Sequence, residues 1–174
     1  MSVELEFQAD EREASVASAA DSPGLFEETL LVVPVRFRVN GHDMLPIMPL
    51  STTIWSVGLS GTATPTEPVE LEHWTGQPIL GFLQGLRDAI EQARRSGQSR
   101  CYLIEDWDLV FTLREGSHLE VMSPSRTTTA VAPVHEFTDA VSRFGKNVHD
   151  WLMQQAPHLM RHPSWAEWFP SPEP

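Results

Sequence analysis

A chain of 174 residues, 41% of them hydrophobic, is long enough to bury a substantial core and has the composition of an ordinary single globular domain. Its 24 acidic and 12 basic residues give a formal net charge of −12, which repels phosphate backbones and anionic lipid and argues against nucleic acid or a membrane surface as a direct ligand. The single cysteine, Cys101, excludes an internal disulfide, and no apolar run approaches the length of a membrane-spanning helix.

The acids crowd toward the start. Glu4, Glu6, Asp10, Glu11, Glu13, Asp21, Glu27 and Glu28 face only Arg12 there, so residues 1–28 are expected to form an acidic, largely flexible leader. Within it Val3, Leu5 and Phe7 alternate with Glu4 and Glu6, the pattern of a short strand. The opening residues have neither the basic nor the apolar region of a secretory signal, which makes cytoplasmic residence the expectation. Arginine outnumbers lysine eleven to one, with Lys146 the one lysine, which suits a GC-rich bacterial genome.

One α+β domain is expected over residues 29–169, followed by a tail at 170–174. From Thr29 to Asn40, Leu31, Val33, Val35, Phe37 and Val39 share one face; Pro34 lacks a donor, so the strand either lies at an edge or begins after it. Asn40-Gly41 is the strongest two-residue hairpin signal, because a type I′ turn needs positive φ at both positions. A return strand toward Met48, another at Thr52 to Leu59, and a short one at Val69 to Trp74 follow, with residues 60–68 a loop. Pro78 opens a helix with Leu80, Leu83, Leu86, Ile90 and Ala93 on one stripe and Gly97 at its end; Glu91 is in reach of Arg94 or Arg95.

The stretch from Arg100 to Ser123 alternates in both of its segments and reads as a hairpin. A three-residue loop, Arg114-Glu115-Gly116, sets Phe111 opposite Leu119 and Leu109 opposite Val121, gathering these four on the core face. Val110, Thr112, His118 and Glu120 then take the wet face. Residues 123–133 read as a turn-rich connector. A second helix runs from about Val134 to about Gln154 on Phe137, Val141, Phe144, Val148 and Trp151, and Gly145 off that stripe marks a close contact. Ser164 to Glu167 has the spacing of a capping box for one last helical turn bearing Trp165, Trp168 and Phe169. These elements predict an antiparallel sheet of about five to six strands packed on two main helices, with a short C-terminal helical turn.

The chemical motifs are weak. His158 and His162 have a helical zinc spacing, but neither the zincin glutamate nor a nearby cysteine accompanies them, so both read as surface histidines and no metal or cofactor is expected. Gly58, Ser60 and Gly61 fall short of a nucleophile elbow, since Thr62 stands where a glycine is required. His149 and Asp150 point about 100° apart on a helix and read as unable to form a dyad. Cys101 reads as a small buried hydrophobe. What remains is a contact surface: the acids Glu105, Asp106 and Asp108 around Trp107, with His118 and Glu120 on the hairpin's wet face and Trp165 and Trp168 near the end.

The order of strands, helix, hairpin and amphipathic helix over residues 29–155 resembles that of acidic single-domain bacterial immunity proteins encoded beside polymorphic toxins. The resemblance lies in layout and composition and transfers no functional residue. It implies a non-catalytic domain that neutralises a cognate, basic toxin by direct binding, as a monomer or homodimer. A small enzyme or ligand-binding domain with a cleft near His118 or His135, and a homo-oligomeric accessory protein, stand as the alternatives.

Overall fold

The strongest alternating run in the chain becomes the centre of a sheet. In the computed structural model, which describes residues 1–9, 32–45, 74–103 and 107–170, Val33, Val35, Phe37 and Val39 bury one whole face of β2 (Val32–Val39). β1 (Val3–Phe7) pairs antiparallel along one side of it; β3 (His42–Asp43) and β4 (Thr75–Pro78) share the other. The edge position predicted from Pro34 is therefore corrected to a central one. Pro34 accepts from the Gln8 N–H at 3.0 Å just where β1 ends, so its missing donor falls at the end of the ladder and breaks nothing inside it.

Asn40 and Gly41 take φ of 51° and 80°, the type I′ geometry the sequence predicts, and β3 returns from them for two residues. The predicted strand at Thr52 to Leu59, the loop 60–68 and the Gly58 to Thr62 motif lie outside the described residues, as does the return strand beyond Leu45. The strand predicted from Val69 lies outside the described residues as far as His73, and β4 begins after Trp74. On the outer face Glu6 ion-pairs with Arg36, which also stacks on the Trp74 ring at 4.8 Å, while Arg38 holds Asp43 at 2.6 Å.

The second sheet is a four-stranded meander of β5 (Gln98–Tyr102), β6 (Asp108–Arg114), β7 (His118–Met122) and β8 (Thr129–Pro133). Among the described residues, two sheets of four strands thus replace the single predicted sheet. The run from Arg100 to Ser123 contributes to three strands rather than two, because β5 ends at Tyr102 and β6 begins at Asp108, and beyond them the Leu103 N–H donates to the Trp107 carbonyl at 2.8 Å. The connector before the second helix contains β8. Its core residues are only Ala130 and Ala132, too small to announce a strand.

The hairpin register also differs by two residues from the predicted one. Phe111 faces Val121 and Leu113 faces Leu119, and the loop is Glu115-Gly116-Ser117, with φ of 49° and 70° at its first two positions. A slip of two keeps every side chain on its side of the sheet, so Leu109, Phe111, Leu119 and Val121 are all fully buried as expected.

α1 (Ile79–Ser96) starts after Pro78 and ends at Gly97 with φ of 85°, and Glu91 pairs with Arg95 on its exposed side. α2 (Val134–Gln155) crosses α1 at Gly145, where an added Cβ would stand 3.4 Å from Leu83, the close contact its glycine marks. Edge-on aromatic pairs knit the layers together: Phe111 on Phe137 at 6.2 Å, Phe82 on Phe144 at 6.2 Å, and Phe7 on Phe144 at 5.8 Å. One contiguous core of buried side chains spans both sheets and both helices. The sheets meet at a corner, where the Asn40 amide donates to the Val131 carbonyl at 2.8 Å.

After α2 the chain folds back as a 3-10 turn (Pro157–Arg161) and α3 (Trp165–Trp168). No capping box forms: Ser164 supplies no side-chain cap, and its own N–H donates to His162 Nδ1 at 3.1 Å. His162 is 8% exposed and stacks on Trp168 at 4.7 Å, so it is a core histidine, while His158 is exposed as expected. Among the described residues no helix is long and apolar enough to cross a membrane.

Candidate partner-binding face

The helices pack on the side of the meander that holds Leu109, Phe111, Leu119 and Val121. The register fixes what the opposite side presents, and Val110 at its centre is 8% exposed, which corrects its expected place on a wet face. Arg100, Val110, Met122 and Thr129 cross it as one row, and Gln98, Thr112, Glu120 and Val131 as the next. Tyr102, 73% exposed on β5, and Val131, 37% exposed on β8, stand at its two edges.

Its carboxylates are held rather than free. Asp108, only 9% exposed, meets Arg126 at 2.6 Å through Oδ1 and Arg100 at 3.1 Å through Oδ2, the second contact lacking hydrogen-bond alignment. Arg126 is aimed there by the turn between β7 and β8. It takes φ of 60°, and the Ser123 hydroxyl fixes the turn by accepting from the Thr128 N–H at 3.1 Å. Glu120 accepts from Arg114 at 2.8 Å, which raises the Arg114 pKa further above its ordinary value. His118 lies beside the Ser117 hydroxyl at 3.1 Å. With three arginines beside two carboxylates, the face is not an anionic patch.

Among the residues selected from sequence, Asp108, His118 and Glu120 do share this face. Trp107 is half-buried at the end of the preceding turn, and Glu105 and Asp106 lie outside the described residues. Trp165 and Trp168 belong elsewhere, docked on the helices: Trp165 packs against His149 at 5.5 Å and Phe169 at 4.7 Å, and Trp168 is 3% exposed. Arg87 of α1 secures them by donating to the Trp168 carbonyl at 3.1 Å and the Glu167 carbonyl at 3.4 Å. Burial lowers its pKa, against the opposing pull of Asp88. The residues missed by sequence reading are Arg100, Tyr102, Arg126 and Val131. The alternation of exposed Gln98, Arg100 and Tyr102 with buried Ser99 and Cys101 carried the signal for the first two.

Charge is distributed unevenly. The described residues contain 12 acids and 11 bases, a net of −1, and the other 12 acids accompany the single base Arg12 outside them. One reading of the helix surface is corrected. His149 Nδ1 does meet Asp150 Oδ1 at 3.2 Å, because the carboxylate bends around the helix while its other oxygen takes Lys146 at 2.6 Å. These bonds, Lys146 first, hold the Asp150 carboxyl below the usual range. Cys101 is buried, and that burial, with a smaller push from Asp88, raises its thiol pKa to about 12. Among the described residues no group of three His, Cys, Asp or Glu side chains is placed to hold a metal ion. Comparison with family models, with curated proteins and with solved structures returned no match to this chain.

Proposed function

We propose that this protein is a non-catalytic protein-binding domain, an immunity factor that neutralises a cognate toxin by covering it with the outer face of the meander. The observation that carries the reading is the meander face opposite the helices, with Tyr102 at 73% exposure and its carboxylates already held by arginines. Exposed aromatics with a supporting arginine are the residues that most often dominate interface energies. The partner class comes from the resemblance of the sequence pattern to toxin-neutralising proteins. A net charge of −12 draws a basic partner from a distance, and the near-neutral face then offers its exposed side chains for contact.

Co-expression with the product of the neighbouring gene tests this directly. The chain is expected to retain that product on affinity resin and to rescue growth, and Tyr102→Ala with Val131→Glu is expected to weaken both without changing the melting temperature. Neither retention nor rescue would overturn the reading.

A further inference from the structure

The backbone along the outer edge of β5 is open. The Gly97 carbonyl accepts from the Leu113 N–H, and the Leu103 N–H donates to the Trp107 carbonyl, both at 2.8 Å, so odd-numbered residues of this strand face β6. The peptide groups of Gln98, Arg100 and Tyr102 therefore point away from the sheet. The Gln98 carbonyl is taken by the Ser96 hydroxyl at 2.8 Å, and the Cys101 thiol approaches the Tyr102 carbonyl at 3.9 Å. The N–H groups of all three residues and the Arg100 carbonyl have no pairing strand among the described residues. All three side chains are exposed.

The opposite edge of the same sheet is partly occupied. On β8 the outward groups belong to Thr129, Val131 and Pro133; the Val131 carbonyl is taken by Asn40 and Pro133 has no N–H. β1, at the edge of the other sheet, carries Glu4 and Glu6 at alternate positions, the pattern by which edge strands repel pairing. β5 carries one charge, Arg100, and a large aromatic.

A second copy is a poor occupant. Full antiparallel overlap of two β5 strands sets Arg100 opposite Arg100, a like-charge pair. Pairing β5 with another copy's β1 aligns Arg100 with the residues that β1 turns toward its core, because the outward peptides of β1 belong to Val3, Leu5 and Phe7. A strand that fits must put a carboxylate opposite Arg100 and apolar residues beside buried Ser99 and Cys101. The Arg100 guanidinium spends one nitrogen on Asp108 and keeps donors for that carboxylate.

We infer that the β5 edge takes up an extended strand of a protein partner, one that carries a carboxylate opposite Arg100 and extends the meander to five strands. This rests on the reading above only for the existence of a protein partner. The test uses the full chain and a short end-capped peptide in which valine alternates with threonine around a central glutamate. In the free protein the amides of Arg100 and Tyr102 are expected to exchange rapidly with solvent and those of Ser99 and Cys101 slowly. Saturating peptide is expected to protect Arg100 and Tyr102, and lysine in place of the glutamate to weaken binding about fivefold.

Arg100→Pro removes one outward donor and leaves the ladder to β6 whole, so it is expected to abolish peptide binding. Arg100→Glu, which keeps the donor, covers the case in which proline distorts the strand; it is expected to reverse the preference toward the lysine peptide. No peptide protection at Arg100 and Tyr102, or an unchanged preference in Arg100→Glu, overturns edge pairing. A partner recovered by co-expression that binds Arg100→Glu as well as the parent also overturns it, while leaving the partner reading intact.

Discussion

Trp168 separates a core role from an interface role in a single substitution. Its indole is 3% exposed, stacked on His162 at 4.7 Å, with its carbonyl held by Arg87. A fully buried indole removes 150–250 Å² from water, about 4–6 kcal/mol at 25 cal/mol per Å², an upper bound because the unfolded chain already hides part of that area. Trp168→Ala is therefore expected to cost about 3–5 kcal/mol in guanidinium denaturation. Because the segment is terminal, part of the loss will appear as local undocking, with faster amide exchange from Leu159 to Phe169 while Phe111 and Val121 keep their protection. Partner binding per folded molecule should stay at the parent level. A loss below about 1 kcal/mol with tail amides exchanging as before would refute the docked tail; weakened binding by a folded variant would return Trp168 to the interface.

Three further outcomes follow from the same structure. Arg87→Met keeps the apolar stem and removes the donors that cap α3, and should cost about 1–2 kcal/mol and speed amide exchange in the tail alone. The Cys101 thiol, with a pKa pushed up to about 12, should leave only about one molecule in ten thousand as thiolate at pH 8; a disulfide reagent should modify it in denaturant and not in the native protein. Asp150 titrates below its unfolded value, so its contribution to stability is complete above that value and is lost as pH falls through the folded one. Lys146→Met should move its carboxyl resonance titration upward, toward the ordinary range.

Which residues face inward was legible in the sequence; which strands pair was not. Period-two alternation placed Phe111 and Val121 in the core, and a register wrong by two residues left that conclusion untouched. Partnership between β1 and β2 spans dozens of residues and leaves no periodic trace, so the short strand read inside an acidic leader gave no sign that it would close the larger core. β8 escaped notice because alanines fill its buried positions, and with it went the division into two sheets. At the candidate site, the sequence showed the acids without showing which basic side chains the fold sets beside them. Asp108 and Glu120 were read as part of a contact surface, yet each has an arginine partner several residues away that only the fold brings close. Trp165 and Trp168 were read as part of the contact surface, and Arg87, which the fold brings to the Trp168 carbonyl, holds them on the body instead.

The Arg100–Asp108 contact ties the sheet face to the sheet edge. Arg100 is exposed and Asp108 is not, so any partner that covers Tyr102 from the β5 side also removes the arginine from water. Desolvating a guanidinium with a single misaligned contact costs more than the contact returns unless its other donors are satisfied. A partner that brings only apolar surface to Tyr102 would meet that cost in full. One that brings a strand with a carboxylate satisfies the guanidinium and the open amides together, so the same partner residue should contribute to both affinity and register.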